Sequence, residues 1–180
     1  MDWFLNSFVL IIIDVMIEMT HKVLVFEPKK CIGCRLCEQI CTMTHFGITN
    51  PAKARIRIIR DDTIQMDFAT YCHQCAKPPC IEACDFDALS RDKDTGSIRV
   101  NEENCVGCRK CIQECPYAAP IIHPTEKYVL ICDLCAGSPK CVENCPENAI
   151  QYLDPGKAAN IYKSIYTDEL AKKIAQEADD

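Results

Sequence analysis

The stretch Cys105-Val106-Gly107-Cys108-Arg109-Lys110-Cys111-Ile112-Gln113-Glu114-Cys115-Pro116 decides how the rest of the chain is read. Its first three cysteines stand three residues apart, a fourth follows after four, and a proline closes the run. Steps of three residues let one tight loop present three thiolates to a single centre, while the fourth thiolate, on the next turn, points to a neighbouring centre. Working outward, Cys31, Cys34, Cys37 and Cys41 repeat the spacing. Cys72, Cys75, Cys80, Cys84 and Cys132, Cys135, Cys141, Cys145 repeat it with a longer middle step. The four quartets use all 16 cysteines of the 180-residue chain, so the protein is an internal repeat with no thiol left over.

The run C-x2-C-x2-C-x3-C-P is an iron-sulfur signature, and because the fourth cysteine serves the other cluster, quartets come in pairs. Four quartets therefore imply four [4Fe-4S] clusters, although spacing alone admits nested and sequential pairing equally. In the two longer quartets Pro78-Pro79 and Ser138-Pro139 are expected to fill outward bulges that leave the ligand count unchanged. Gly33 and Gly107 let the backbone approach a cluster, and Ile32, Leu36, Ile40, Val106, Ile112 and Val142 are placed to exclude water. Arg35, Arg109 and Lys110 lie inside the loops, where they either favour the reduced cluster or are solvated surface charges. His21, His45, His73 and His123 share no spacing and read as structural, and Tyr71, Phe86 and Tyr117 read as packing that shields the clusters. Zinc fits poorly: a four-cysteine zinc site takes two ligands from each of two knuckles, which leaves the third cysteine of every loop without a purpose.

The balance of 26 acidic against 20 basic residues, a net charge of −6, opposes binding to a phosphate backbone. With six glycines and no Gly-rich phosphate loop, no nucleotide or flavin site is expected. Residues Trp3 to Ile13 are apolar, but no Lys or Arg precedes them and Asp14 interrupts them well short of the roughly 20 residues that span a bilayer. Neither a secretory signal nor a membrane span is expected, which places the chain in the cytoplasm and argues against a disulfide framework. Residues 1–19 read as an N-terminal extension, either an upstream stretch of reading frame before Met16 or Met19 or a short helix that docks on a partner.

Between the quartets the pattern is of short strands. Lys22 to Phe26, Arg55 to Arg60, Ile64 to Phe68, Ala88 to Ser90, Ser97 to Val100, Tyr128 to Ile131 and Ala149 to Leu153 alternate or cluster β-formers, with turns at Asp61-Asp62 and at Asp92 to Gly96. Short helices or turns are expected after each fourth cysteine. Ile161, Ile165, Leu170 and Ile174 mark a C-terminal amphipathic helix within residues 156–180, which packs on its own domain or grips a partner.

The quartet arrangement over Lys22 to Leu153 resembles the four-cluster ferredoxin-like subunits of molybdenum and tungsten oxidoreductases, the family of the dimethyl sulfoxide reductase and formate dehydrogenase iron-sulfur subunits. The opening Phe26-Glu27-Pro28-Lys29-Lys30-Cys31-Ile32-Gly33-Cys34-Arg35-Leu36-Cys37-Glu38 is most similar to small subunits serving tungsten enzymes of the aldehyde oxidoreductase family, tungsten benzoyl-coenzyme A reductase among them. The resemblance implies an α+β fold of two ferredoxin-like dicluster modules. It implies nested pairing: Cys31, Cys34, Cys37 with Cys145; Cys72, Cys75, Cys80 with Cys115; Cys105, Cys108, Cys111 with Cys84; and Cys132, Cys135, Cys141 with Cys41. Residues 20–71 and 116–155 would then form an outer module and 72–115 an inner one. It also implies a non-catalytic relay of electrons to or from a tungsten- or molybdenum-pterin catalytic subunit, with a further redox subunit or ferredoxin as a second partner. Asp85, where a proline is common in that family, and the lack of a membrane-anchoring tail are departures from the pattern. The rival readings are a free polyferredoxin that shuttles between enzymes and a zinc-stapled interaction module.

Overall fold

The computed structural model describes residues 21–178, and the N-terminal extension lies outside the described residues. Hairpins join the quartets. Strands β2 (Arg57–Asp61) and β3 (Met66–Thr70) lie between the first and second, β4 (Leu89–Arg91) and β5 (Ile98–Val100) between the second and third, and β6 (Ile121–Ile122) and β7 (Val129–Leu130) between the third and fourth. Each pair is antiparallel. A further two-stranded sheet closes the ring: β1 (Val23–Phe26) pairs antiparallel with β8 (Ile150–Leu153), matching Val23 with Leu153 and Phe26 with Ile150. This pairing carries the start of the first quartet to the end of the fourth.

All four residues of β1 are buried because a strand's alternate side chains face opposite sides and both sides are covered. Leu24 and Phe26 enter a core with Ile56, Ile58, Tyr71, Leu134 and Ile150, bordered by cysteines of the first and fourth quartets. Val23 and Val25 pack against Ala158 on the C-terminal helix. A second core holds Leu89, Ile98, Ala119, Val129 and Ile131 among cysteines of the second and third quartets, and Cys132 borders both cores.

The helices differ from the sequence expectation in where they fall. Helix α1 (Leu36–Phe46) carries both Cys37 and Cys41. The single-turn helices α2 (Pro79–Glu82), α3 (Lys110–Gln113) and α4 (Lys140–Glu143) surround the third cysteine of their quartets, and of the helix or turn expected after the fourth it is the turn that forms. After each of those fourth cysteines stands a turn whose third residue is left-handed: Asp87 at φ 49°, Ala118 at 48° and Asn148 at 50°. Helix α1 packs on α4, and α2 on α3. Pro78 and Pro139 occupy the position preceding α2 and α4, and Pro79 the first helical position of α2, so these prolines start a helix where an outward bulge was expected. The reason is local, since proline's fixed φ suits the first turn of a helix.

Strand edges also shift. Residues 62–65 form the β2–β3 turn, with Gln65 left-handed, so Ile64 is exposed in that turn and β3 starts at Met66. Strand β6 has no counterpart in the sequence reading because two residues carry no period. The terminal helix α5 (Pro155–Ala178) begins earlier than expected, at a proline, and through Ala158, Ile161 and Tyr162 packs on β1. Leu170 and Ile174 fall outside the residues whose side chains are described. No helix among the described residues is long and apolar enough to cross a membrane.

Candidate metal centres

The four loops share one backbone device. The second residue after each first cysteine is left-handed: Gly33 at φ 67°, Gln74 at 52°, Gly107 at 68° and Leu134 at 57°. Two of these are the glycines read from the sequence; the other two are larger residues held in the same region, at a cost of about 1–2 kcal/mol each. The device turns the backbone inward, and Gly33 N–H lies 3.4 Å from the Cys31 sulfur. Gly107 admits no Cβ, because one would stand 2.6 Å from the Lys127 carbonyl oxygen.

The cysteines meet across the chain. One cavity is lined by Cys31, Cys34, Cys37 and Cys145. A second is lined by Cys72, Cys75, Cys80 and Cys115, and a third by Cys84, Cys105, Cys108 and Cys111. Burial pushes the Cys141 thiol up, and the nearby sulfurs of Cys132, Cys135 and Cys41 push it further, which gathers a fourth group. All sixteen cysteines are free thiols, none paired as a disulfide. Burial drives Cys37, Cys111 and Cys132 to about 12, so at neutral pH these sulfurs are uncharged unless a metal displaces their protons. Three thiols from one loop and one from a distant segment, in a pocket lined mostly by apolar side chains with Arg35, Glu147, Arg109 and Lys110 among the rest, fit a [4Fe-4S] cubane and not a two-knuckle zinc site.

Side chains near the cavities divide differently from the sequence expectation. Arg35, Arg109 and Lys110 are exposed, and Lys110 pairs with Asp85, whose carboxylate pushes the ammonium upward. Ile32 and Val106 border cavities yet are 62 % and 52 % exposed, so they face solvent beside Cys34 and Cys108, the two exposed cysteines. His73 stacks between Tyr71 and Tyr117, with ring centroids 4.7 and 4.0 Å away, and desolvation lowers it to about 4. His73 and Tyr117 wall the second cavity, and Phe86 the third.

Two functional neighbours were missed by the sequence reading. His45 Nε2 lies 3.7 Å from the Cys135 sulfur and 3.4 Å from Asp133 Oδ1. Arg55 donates its backbone N–H to the Cys41 sulfur at 3.4 Å and binds Asp133 Oδ2 through Nη1 at 2.7 Å. No local signal marks either residue, since both lie near the first quartet in sequence and reach the fourth through the packing of α1 on α4 and the shared core. His45, Asp133 and Cys135 bring potential ligand atoms within 4.8 Å, but Cys135 belongs to the fourth quartet and Asp133 is engaged by Arg55, so the trio is no separate centre.

Comparison with known proteins agrees with this chemistry. Residues 63–155 match the family model of the 4Fe-4S dicluster domain. The chain is 41 % identical over 111 residues to the aliphatic sulfonate oxidoreductase polyferredoxin-like subunit of Pyrococcus furiosus, covering 62 % of this chain and 64 % of the relative. It is 36 % identical over 106 residues to the electron transport protein HydN of Escherichia coli K12, covering 55 % and 58 %. The chain thus spans less than two thirds of either relative. Among solved structures it is similar to the active-site complex BamBC of benzoyl coenzyme A reductase, at 22 % identity and a TM-score of 0.45, covering 86 % of this chain and 96 % of that one.

Proposed function

The chain belongs to the 4Fe-4S dicluster domain family, and on that premise we propose that it is the electron-relay subunit of an oxidoreductase, with four [4Fe-4S] clusters held in nested quartets. The ligand sets are Cys31, Cys34, Cys37, Cys145; Cys132, Cys135, Cys141, Cys41; Cys72, Cys75, Cys80, Cys115; and Cys105, Cys108, Cys111, Cys84. The observation that carries this is the convergence of three cysteines from one loop and one from a distant segment on a single cavity.

The first and fourth quartets then form an outer module and the second and third an inner one. The separate cores beside each pair support that division. The modules meet where Cys132 lies near Cys72, which supports the spatial order first, fourth, second, third. The two ends of that order are the quartets with exposed Cys34 and Cys108, so electrons enter at one end and leave at the other. When bound, the clusters supply one-electron chemistry; the chain holds them apart from water and from one another and performs no bond chemistry of its own.

The partner is the catalytic subunit of an oxidoreductase, carrying tungsten or molybdenum on a pterin, in a cytoplasmic complex where thiols stay reduced. The relatives' names, an oxidoreductase subunit and an electron transport protein, support the coarser part of this. Anaerobic purification from the native host through a tag on this chain tests it. Iron and sulfide near 16 per chain, one for each of the 16 cysteines, with a retained subunit containing tungsten or molybdenum, is the expected result. The same iron without a retained partner would make the chain a free carrier, and stoichiometric zinc without sulfide would overturn the reading.

A further inference from the structure

We propose that the charges around the outer module set its two clusters apart in potential, the fourth-quartet cluster lying above the first-quartet cluster. This rests on the ligand assignment proposed above. The cationic side is built from two distant segments. Arg55, with its side chain 15 % exposed, holds its guanidinium against Asp133 and its backbone N–H against Cys41. Arg99 on β5 brings a second guanidinium to within 3.5 Å of the same Asp133 oxygen. Asp133 is the carboxylate these two cations share, Arg99 Nε also pairs with Asp92 Oδ2 at 3.4 Å, and Arg55 Nε is buried without a hydrogen-bond partner. Arg55 is thus a cation held against the fourth quartet where water screens it little. His45 adds a ring nitrogen 3.7 Å from the Cys135 sulfur.

The first quartet meets the opposite charge. Asp67 on β3 is 6 % exposed, and its Oδ2 lies 2.7 Å from the point a Cβ on Gly33 would occupy, so the carboxylate presses on the ligand loop itself. Its cation, Arg60 Nη1 at 3.1 Å, has a side chain 48 % exposed, where water screens it more than the carboxylate is screened. One-electron reduction adds a negative charge to a cluster already bounded by four thiolates. Nearby cations stabilise that reduced state, and a buried carboxylate opposes it. An electron in the outer module accordingly rests on the fourth-quartet side, next to the inner module.

The test is an anaerobic potentiometric titration of the intact holoprotein followed by electron paramagnetic resonance. Arg55→Gln and Arg99→Gln should each lower the midpoint of one cluster by about a tenfold fall in its reduced-to-oxidised ratio at fixed potential, about 59 mV for one electron. Arg55→Lys should stay near wild type. Asp67→Asn should raise a different midpoint. Should Arg55→Gln fail to load iron, the milder Arg99→Gln decides the cationic side. Unmoved midpoints in Arg99→Gln and Asp67→Asn, with four clusters present, would overturn the proposal, as would both substitutions moving the same cluster. The ligand assignment fails separately: Cys135→Ser would then leave the signal that responds to Arg99 unaltered.

Discussion

The Gln74 side-chain amide donates to the Cys132 carbonyl at 2.7 Å, and its oxygen accepts from Ile98 N–H at 2.8 Å. Gln74 is 2 % exposed, so water cannot replace either bond. The left-handed residue of the second quartet's loop thereby ties the first residue of the fourth quartet to strand β5. Gln74→Leu leaves one buried donor and one buried acceptor unpaired, each worth about 1–3 kcal/mol. Denaturant unfolding of the anaerobic holoprotein should show a loss of that order, and an unchanged midpoint would count against the bridge.

Two glycines at the same φ of 67–68° separate backbone strain from close approach. Gly47 ends α1 with nothing within 4 Å of the place an added methyl group would take, whereas at Gly107 that place lies 2.6 Å from the Lys127 carbonyl oxygen. Gly47→Ala should cost only the left-handed penalty, about 1–2 kcal/mol. Gly107→Ala should cost more and lower iron content, because the loop must back away from its cavity to relieve the clash. Equal costs for the two substitutions would contradict this assignment.

Cluster loading should depend on pH. Burial raises the thiols of Cys37, Cys111 and Cys132 to about 12, so in the metal-free protein they are protonated throughout the neutral range. Binding iron requires thiolates and therefore releases protons, which makes apparent affinity rise with pH below that value and fall as pH drops. Anaerobic iron-retention measurements against a chelator at stepped pH should show retention falling toward acid pH. Retention independent of pH would mean these sulfurs are not ligands.

The sixteen cysteines, their quartets and the hairpins β2–β3 and β4–β5 were legible because each is written in a short window of sequence. What stayed hidden depends on contacts between distant segments. The pairing of β1 with β8, which sets Val25 opposite Gln151, joins segments far apart in the sequence, and beside it the Glu27 and Gln151 side chains, 124 residues apart, hydrogen-bond. Arg55 and His45 reach the fourth quartet only through tertiary packing, while the loop charges Arg35, Arg109 and Lys110, read from the sequence as tuning groups or solvated charges, are exposed at the cavity rims. Gln74 and Leu134 adopt the turn that glycine announces at Gly33 and Gly107, so the repeat of the device was visible in only half its copies.

Nested pairing is the central claim, and Mössbauer counting of intact clusters in Cys34→Ala, Cys145→Ala and the double variant tests it most directly. If both residues serve one cluster, the two lesions coincide, and single and double variants alike retain three intact clusters, about 12 irons. If the double variant instead retains only two intact clusters, Cys34 and Cys145 serve different clusters and the nested arrangement is wrong.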